Sequence, residues 1–350
     1  MQPTTTQDAQ STQAVESTLP MALSLASAIA EHGDEVELQG TVLHRDRALT
    51  LAAGAAIAAV VTMLGQLTPL PGIALLLLIL LSFVEDLEGG TGWLRRLVVL
   101  KDVGHNVILW RAPRLPTRST PPAESRPPWL AEGALSHRPA LLICVPADGL
   151  SGERVGLRRL HIAVSIATLL AAIGIGLWTP LATIAAGGLA LLSGGLTLRH
   201  VQAPPRLTPS PAIPATLTLL DALRAQPPEH LAVAVAFIEG SSGHTDGIEI
   251  LLENYAPILP PHLTRVLSLV PDEIPLSAQH IEGVLQRRSA DALILRAADG
   301  LSKSAGVSPT ARVLRRGWRG ATLRGDLTNT AAILKVIDRL DQAAGADQWS

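Results

Sequence analysis

Residues Ala48 to Val84 read ALTLAAGAAIAAVVTMLGQLTPLPGIALLLLILLSFV, and residues Leu160 to Leu198 read LHIAVSIATLLAAIGIGLWTPLATIAAGGLALLSGGLTL. Neither stretch contains an Asp, Glu, Lys or Arg. A spanning helix needs about 20 apolar residues, so each stretch is long enough for two spans. Each is broken near its middle, the first by Thr68-Pro69-Leu70-Pro71-Gly72 and the second by Trp178-Thr179-Pro180. Proline steers the residue before it away from helical geometry, which makes these natural turns. The expectation is two transmembrane helical hairpins, 48–85 and 160–198, with helices at about 48–67, 70–85, 160–178 and 181–198. A core helix of a soluble domain keeps a polar stripe, and these keep almost none. Small residues recur four apart at Ala52/Ala56, Ala55/Ala59, Ala172/Gly176 and Ala186/Ala190/Gly194, a spacing that permits close helix approach in lipid.

The flanks set the expected orientation. Arg45, Arg47, Arg95, Arg96, Lys101, Arg154, Arg158, Arg159, Arg199 and Arg206 lie outside the hairpins, and the two inter-helix turns hold no Lys or Arg. Basic residues stay on the cytoplasmic side, so both termini and the central segment are expected there, in a multi-pass protein of the cell membrane. The first twenty residues are polar, read as a disordered tail, and lack the basic start and apolar core of a cleavable signal. Two double crossings leave 21–47, 86–159 and 199–350 on one side, free to form one discontinuous domain.

Composition narrows the function classes. Charged residues make up 17% of the 350, against about 25% in ordinary soluble domains. A formal net charge of -2 excludes a dedicated nucleic-acid binder. The single cysteine, Cys144, excludes an intramolecular disulfide and any multi-cysteine metal site, and its apolar neighbours mark it as a buried thiol. Gly89-Gly90-Thr91-Gly92 lacks the lysine and the preceding strand of a phosphate loop. Spans without Asp, Glu, Lys or Arg disfavour a transporter, and His161 is expected to reach the interface.

Outside the hairpins the pattern alternates between strand and helix. Strands are expected at 105–110, 140–145, 231–238, 264–270, 292–296 and 321–324, and helices at 21–32, 215–225, 246–255, 275–287, 308–316 and from about Thr330. Pro-rich connectors occupy 111–128 and 204–214. Apolar strands alternating with helices indicate an α/β sheet covered on both faces.

This order of elements resembles the M28 metallopeptidases, zinc aminopeptidases with a phosphorylase/hydrolase-like, mostly parallel sheet. The resemblance rests on Gly104-His105-Asn106-Val107-Ile108, similar to the family's "NVIA" strand, and on Pro139 to Cys144, similar to the strand entering "HYDS". Val235 to Gly240 is similar to the strand ending in "GAEE", and Val266 to Val270 to the "INLD" strand. Leu314 to Ala321 resembles the "RRGYRA" of membrane-associated members.

Such enzymes hold two zinc ions through His and carboxylate ligands, with a Glu as general base. Here Pro146-Ala147-Asp148-Gly149 replaces "HYDS", and Asp148 would orient a histidine that is now Pro146. The bridging-Asp segment falls at Ser210-Pro211-Ala212, and the Glu pair falls near Ser242-Gly243. "NLD" becomes Ser268-Leu269-Val270 with Asp272 two residues on, and no His follows His280. The resemblance therefore implies a non-catalytic, peptidase-derived binding or assembly domain without a cofactor. Its alternative is an active zinc exopeptidase with relocated ligands drawn from Asp148, His244, Asp246 and Asp272. A third reading makes Ser242 a hydrolase nucleophile, although Gly240-Ser241-Ser242-Gly243-His244 departs from G-x-S-x-G; across these readings Asp148, Ser242 and His244 are the catalytic candidates. Arg312, Arg315, Arg316 and Arg319 are candidates for anionic lipid headgroups.

Overall fold

The computed structural model describes residues 22–30, 36–43, 47–87, 92–98, 102–111, 138–149, 154–177, 179–201, 208–239, 246–283, 287–306, 308 and 310–349. In chain order the elements are α1 (22–30), β1 (Val36–Leu43), α2 (Arg47–Gly65), α3 (Pro69–Leu87), α4 (Trp93–Val98), β2 (Asp102–Arg111), β3 (Ala140–Pro146), β4 (Asp148–Gly149), α5 (Arg154–Gly176) and α6 (Pro180–Val201). They continue with β5 (Thr208–Pro209), α7 (Ala212–Ala225), β6 (Ala232–Ile238), α8 (Asp246–Tyr255), β7 (Thr264–Pro271), β8 (Ser277–Glu282), β9 (Arg288–Ser289), α9 (Ala292–Ala297), β10 (Ser302–Gly306), α10 (Thr310–Arg315), β11 (Arg319–Gly325) and α11 (Thr330–Gly345). Two compact units emerge. One is built from Met1–Val42, Val103–Gly149 and Pro209–Ser350, the other from Leu43–Asp102 and Leu150–Thr208.

The first unit is a mixed sheet in the order β1-β2-β6-β3-β7-β11-β8-β10, with β9 paired to β8. Strands β6, β3, β7 and β11 run parallel, whereas β2 is antiparallel to β6 and β8 antiparallel to β11. Strand alternation sends Leu141, Ile143, Val233, Val235, Leu267 and Leu323 to one face, where α1, α7, α9 and α11 pack. The other set, including Leu142, Cys144, Ala234, Ala236 and Val266, meets α8 and Trp318. Both faces are covered, which is why β3 and β6 are apolar at nearly every position. Each fully buried Val, Leu or Ile contributes about 1.5–3 kcal/mol.

Two expected elements exchange identity. Residues 275–287, read as helix, contain β8, and 292–296, read as strand, form α9. Pairing with β11 and β10 overrides a weak local helical preference in β8. In α9 the deciding feature is a cap: the Asp291 carboxylate accepts the backbone N–H groups of Leu293 and Ile294. Strands β1 and β10 and the short helix α4 fall where no regular element was expected.

The second unit packs α2, α3, α5 and α6 with α4. Two helices, α3 and α5, are long and apolar enough to cross a membrane. Their packing uses small residues: Ala52, Ala55, Ala58, Ala59, Ala172, Ala186 and Ala190 are buried, whereas Ala56 is exposed. At Gly54 a β-carbon would come within 2.5 Å of the Phe83 ring and 2.7 Å of Leu94. Gly54→Leu is expected to destabilise this unit by about 1–3 kcal/mol through overpacking, read as a lower melting temperature of the purified chain.

This unit also corrects the expectation for His161. His161 is fully buried, its Nε2 lies 2.8 Å from the Phe83 carbonyl oxygen, and its ring meets the Phe83 ring edge-on at 5.5 Å. It satisfies a helix carbonyl instead of reaching an interface. Arg95, one of the flanking charges, is buried in α4. It is 1% exposed and sits 3.7 Å from Asp86, whose Oδ1 also accepts the Gly92 N–H.

Candidate functional site

Strands β6, β3, β7 and β11 end together at one edge, with Pro146 level with Ile238 and Gly325 level with Pro271. Ligands of open α/β sheets bind outside the carboxyl ends of parallel strands, so this edge is the place to look. Backbone bonds knit it: Ala147 N donates to Ile238 O at 2.9 Å, Ser210 N to Ala147 O at 3.0 Å, and Asp272 N to Gly325 O at 3.0 Å.

The sequence candidates distribute along it unevenly. Asp148 lies in β4 just beyond β3, Asp246 opens α8, and Asp272 follows β7 directly. The side chains of Asp148 and Asp246, like all of Ser242 and His244, lie outside the described residues. Ser210 is buried, and its hydroxyl accepts the Ala212 N–H at the start of α7. Among the described residues no group of three or more His, Cys, Asp or Glu is placed to hold a metal.

Asp272 has specific partners. Arg324 Nε donates to Oδ2 at 2.7 Å, and the Glu273 N–H donates to Oδ1 at 2.8 Å. The Arg324 hydrogen bond holds this carboxyl below the usual carboxylate range. Both oxygens are engaged, so a metal would have to compete with a guanidinium. Beyond the same strand ends, Glu273, Ile274, Pro275, Leu276, Asp326 and Asn329 line a cavity of about 350 Å³.

Sequence reading passed over Glu239 and Asn106 as site residues. Glu239, 1% exposed, caps the end of β6 and accepts the His105 N–H. Asn106 Oδ1 accepts the Glu239 N–H, and its Nδ2 donates to Gln39 Oε1 at 3.1 Å and Gly247 O at 3.0 Å. Gly247 is needed here because a β-carbon would lie 2.7 Å from the Glu239 carbonyl. The signal available in the sequence was a glutamate ending an otherwise apolar strand.

A second polar cluster lies on the face carrying Ser268 and Thr322. Ser308 Oγ donates to Glu282 Oε2, and Thr322 Oγ1 lies 2.7 Å from Ser308 Oγ and 2.9 Å from Thr310 Oγ1. Thr310 Oγ1 donates to Ser268 Oγ at 2.8 Å. Burial pushes Glu282 up to about 7, against the opposing hydrogen bonds from Ser308 and Thr322. Elsewhere, burial alone raises the Cys144 thiol, so it is no nucleophile at neutral pH.

The basic stretch is partly neutralised. Arg312 is buried and lies 3.0 Å from Glu249 of α8, while Arg316 reaches Glu249 and Glu253. Arg319 is exposed.

No protein-family model matches the chain, and no curated protein matches it. Among solved structures it is similar to the aminopeptidase from Aneurinibacillus sp. strain AM-1, at 8% identity and a TM-score of 0.31, over 70% of this chain. The matched region spans about half, 48%, of that structure's chain.

Proposed function

We propose that the chain is a multi-pass membrane protein whose peptidase-like α/β domain binds or assembles with a partner without catalysing peptide hydrolysis. The observation that carries the membrane half is the apolar exterior of the helical unit. Met63, Leu67, Leu70, Leu81, Leu177, Leu181, Ile184 and Leu192 are all at least 60% exposed, on stretches that contain no charged residue. So large an apolar surface is unfavourable in water and favourable in hydrocarbon. Both termini and the α/β domain belong on the cytoplasmic side in this reading, from the basic flanks. The role in lipid contact first expected of Arg312, Arg315, Arg316 and Arg319 falls chiefly to Arg319, because Glu249 and Glu253 hold Arg312 and Arg316.

The non-catalytic half is supported by the lost ligand positions at Pro146 and Ser210, and by the engagement of Asp272 with Arg324. Alkaline carbonate extraction tests the first half, and the chain is expected to stay in the membrane pellet. Release into the supernatant would overturn it. Zinc analysis of detergent-purified protein, with an aminopeptidase assay on aminoacyl substrates, tests the second. Stoichiometric zinc with chelator-sensitive cleavage would establish the active exopeptidase instead.

A further inference from the structure

Glu282 is fully buried, and its Oε1 has no hydrogen-bond partner among the described residues. The other oxygen is held by Ser308, whose hydroxyl also accepts the Thr310 N–H at the start of α10. From there hydroxyls continue through Thr322 and Thr310 to Ser268, joining β8, β11, α10 and β7. A carboxylate in such a place is costly to ionise, because burial removes it from water and no cation is paired with it among the described residues.

The charged groups on the surrounding elements are otherwise engaged or turned outward. Arg288 of β9, level with Glu282, is exposed, as are Lys303 of β10 and Arg319 of β11. Arg324 of β11 holds Asp272, Arg265 of β7 holds Asp291, and Arg312 of α10 holds Glu249. His280 and Arg315 are the remaining titratable neighbours, and none of these groups forms an ion pair with Glu282 among the described residues.

We propose that Glu282 is a proton-binding switch that controls the docking of α10 on the sheet. When protonated, the carboxyl is neutral and the hydroxyl chain holds α10 in place. When ionised, Oε1 gains most from water, and release of Ser308, which holds the other oxygen and accepts the first N–H of α10, opens a route for it. Lifting α10 would also strain the Arg312 and Arg316 contacts to α8. The inference does not depend on whether the domain is catalytic.

Hydrogen exchange of the full chain in detergent, from about pH 4 to about pH 8.5 and corrected for intrinsic rates, tests it. Protection of the α10 amides is expected to fall between about pH 4.5 and about pH 7 and to level off above. The limit is about 300-fold, the ratio corresponding to a carboxyl raised from 4.5 to about 7. Helix α11, on the other face, should keep its protection in the same samples. Glu282→Gln should abolish the transition. Ser308→Ala, which removes a donor to the carboxylate, should move it up by about one to two pH units. A pH-independent α10, a transition that survives in E282Q, or simultaneous loss at α10 and α11 would each overturn the proposal.

Discussion

Asp291→Ala is expected to lower the stability of the α/β unit by about 3–5 kcal/mol, the cost of leaving a buried guanidinium without its carboxylate. Arg265 and Asp291 have side chains only 3% and 7% exposed, and Arg265 Nε lies 3.1 Å from Asp291 Oδ1. The same oxygen caps α9, so alanine also removes a cap worth about 1 kcal/mol. Arg265 is fixed from its other side by the C-terminal residues. Its Nη1 donates to the Trp349 carbonyl at 2.6 Å, and its guanidinium stacks 4.3 Å from the Trp349 ring centroid. Arg265→Met removes the charge and keeps most of the volume, so it should cost less than Asp291→Ala. The double variant should be less destabilised than the sum of the singles. Urea titration followed by pulse proteolysis gives all three values, and a loss below about 1 kcal/mol for Asp291→Ala would refute this account.

Glu282→Gln is expected to stabilise the same unit at alkaline pH and to leave it nearly unchanged near pH 4.5. The sign follows from the direction of the shift. The folded carboxyl titrates near 7 and the unfolded one near 4.5, so the unfolded chain loses its proton first as pH rises. The contribution of the neutral carboxyl is therefore complete below the unfolded value and disappears as pH rises to about 7. At 1.36 kcal/mol per unit this amounts to roughly 3 kcal/mol, which glutamine, never ionising, retains. Unfolding titrations at pH 4.5, 6 and 8 should show the wild type and variant diverging with pH. Parallel curves would place the Glu282 proton affinity in the ordinary range.

The parts of the fold that sequence made legible were those with strong periodic or compositional signals. Charge-free runs marked α2, α3, α5 and α6, and buried strands β3 and β6 announced themselves as continuous apolar runs. What escaped was decided by partners distant in sequence. Ser277 to Glu282 has mixed polarity because it faces hydroxyls on one side and core on the other, so no clean period survives. Misreading that segment as helix hid Glu282, and Asp291 went unrecognised as a cap because residues 292–296 after it looked like a strand. The candidate site was legible by position only. Asp272 reads as a spare carboxylate until Arg324, on another strand, is seen to hold it.

The strand order also bears on how the chain is made. Strand β6 sits between β2 and β3 and supplies their shared pairing, yet it follows both helical hairpins in the chain. A nascent chain must therefore deliver four apolar helices before its first strands find their central neighbour. Long-range pairings of this kind form slowly and leave unpaired strand edges exposed meanwhile. On the membrane reading proposed above, insertion of the helices should come first during synthesis, with closure of the sheet waiting for the final third of the chain.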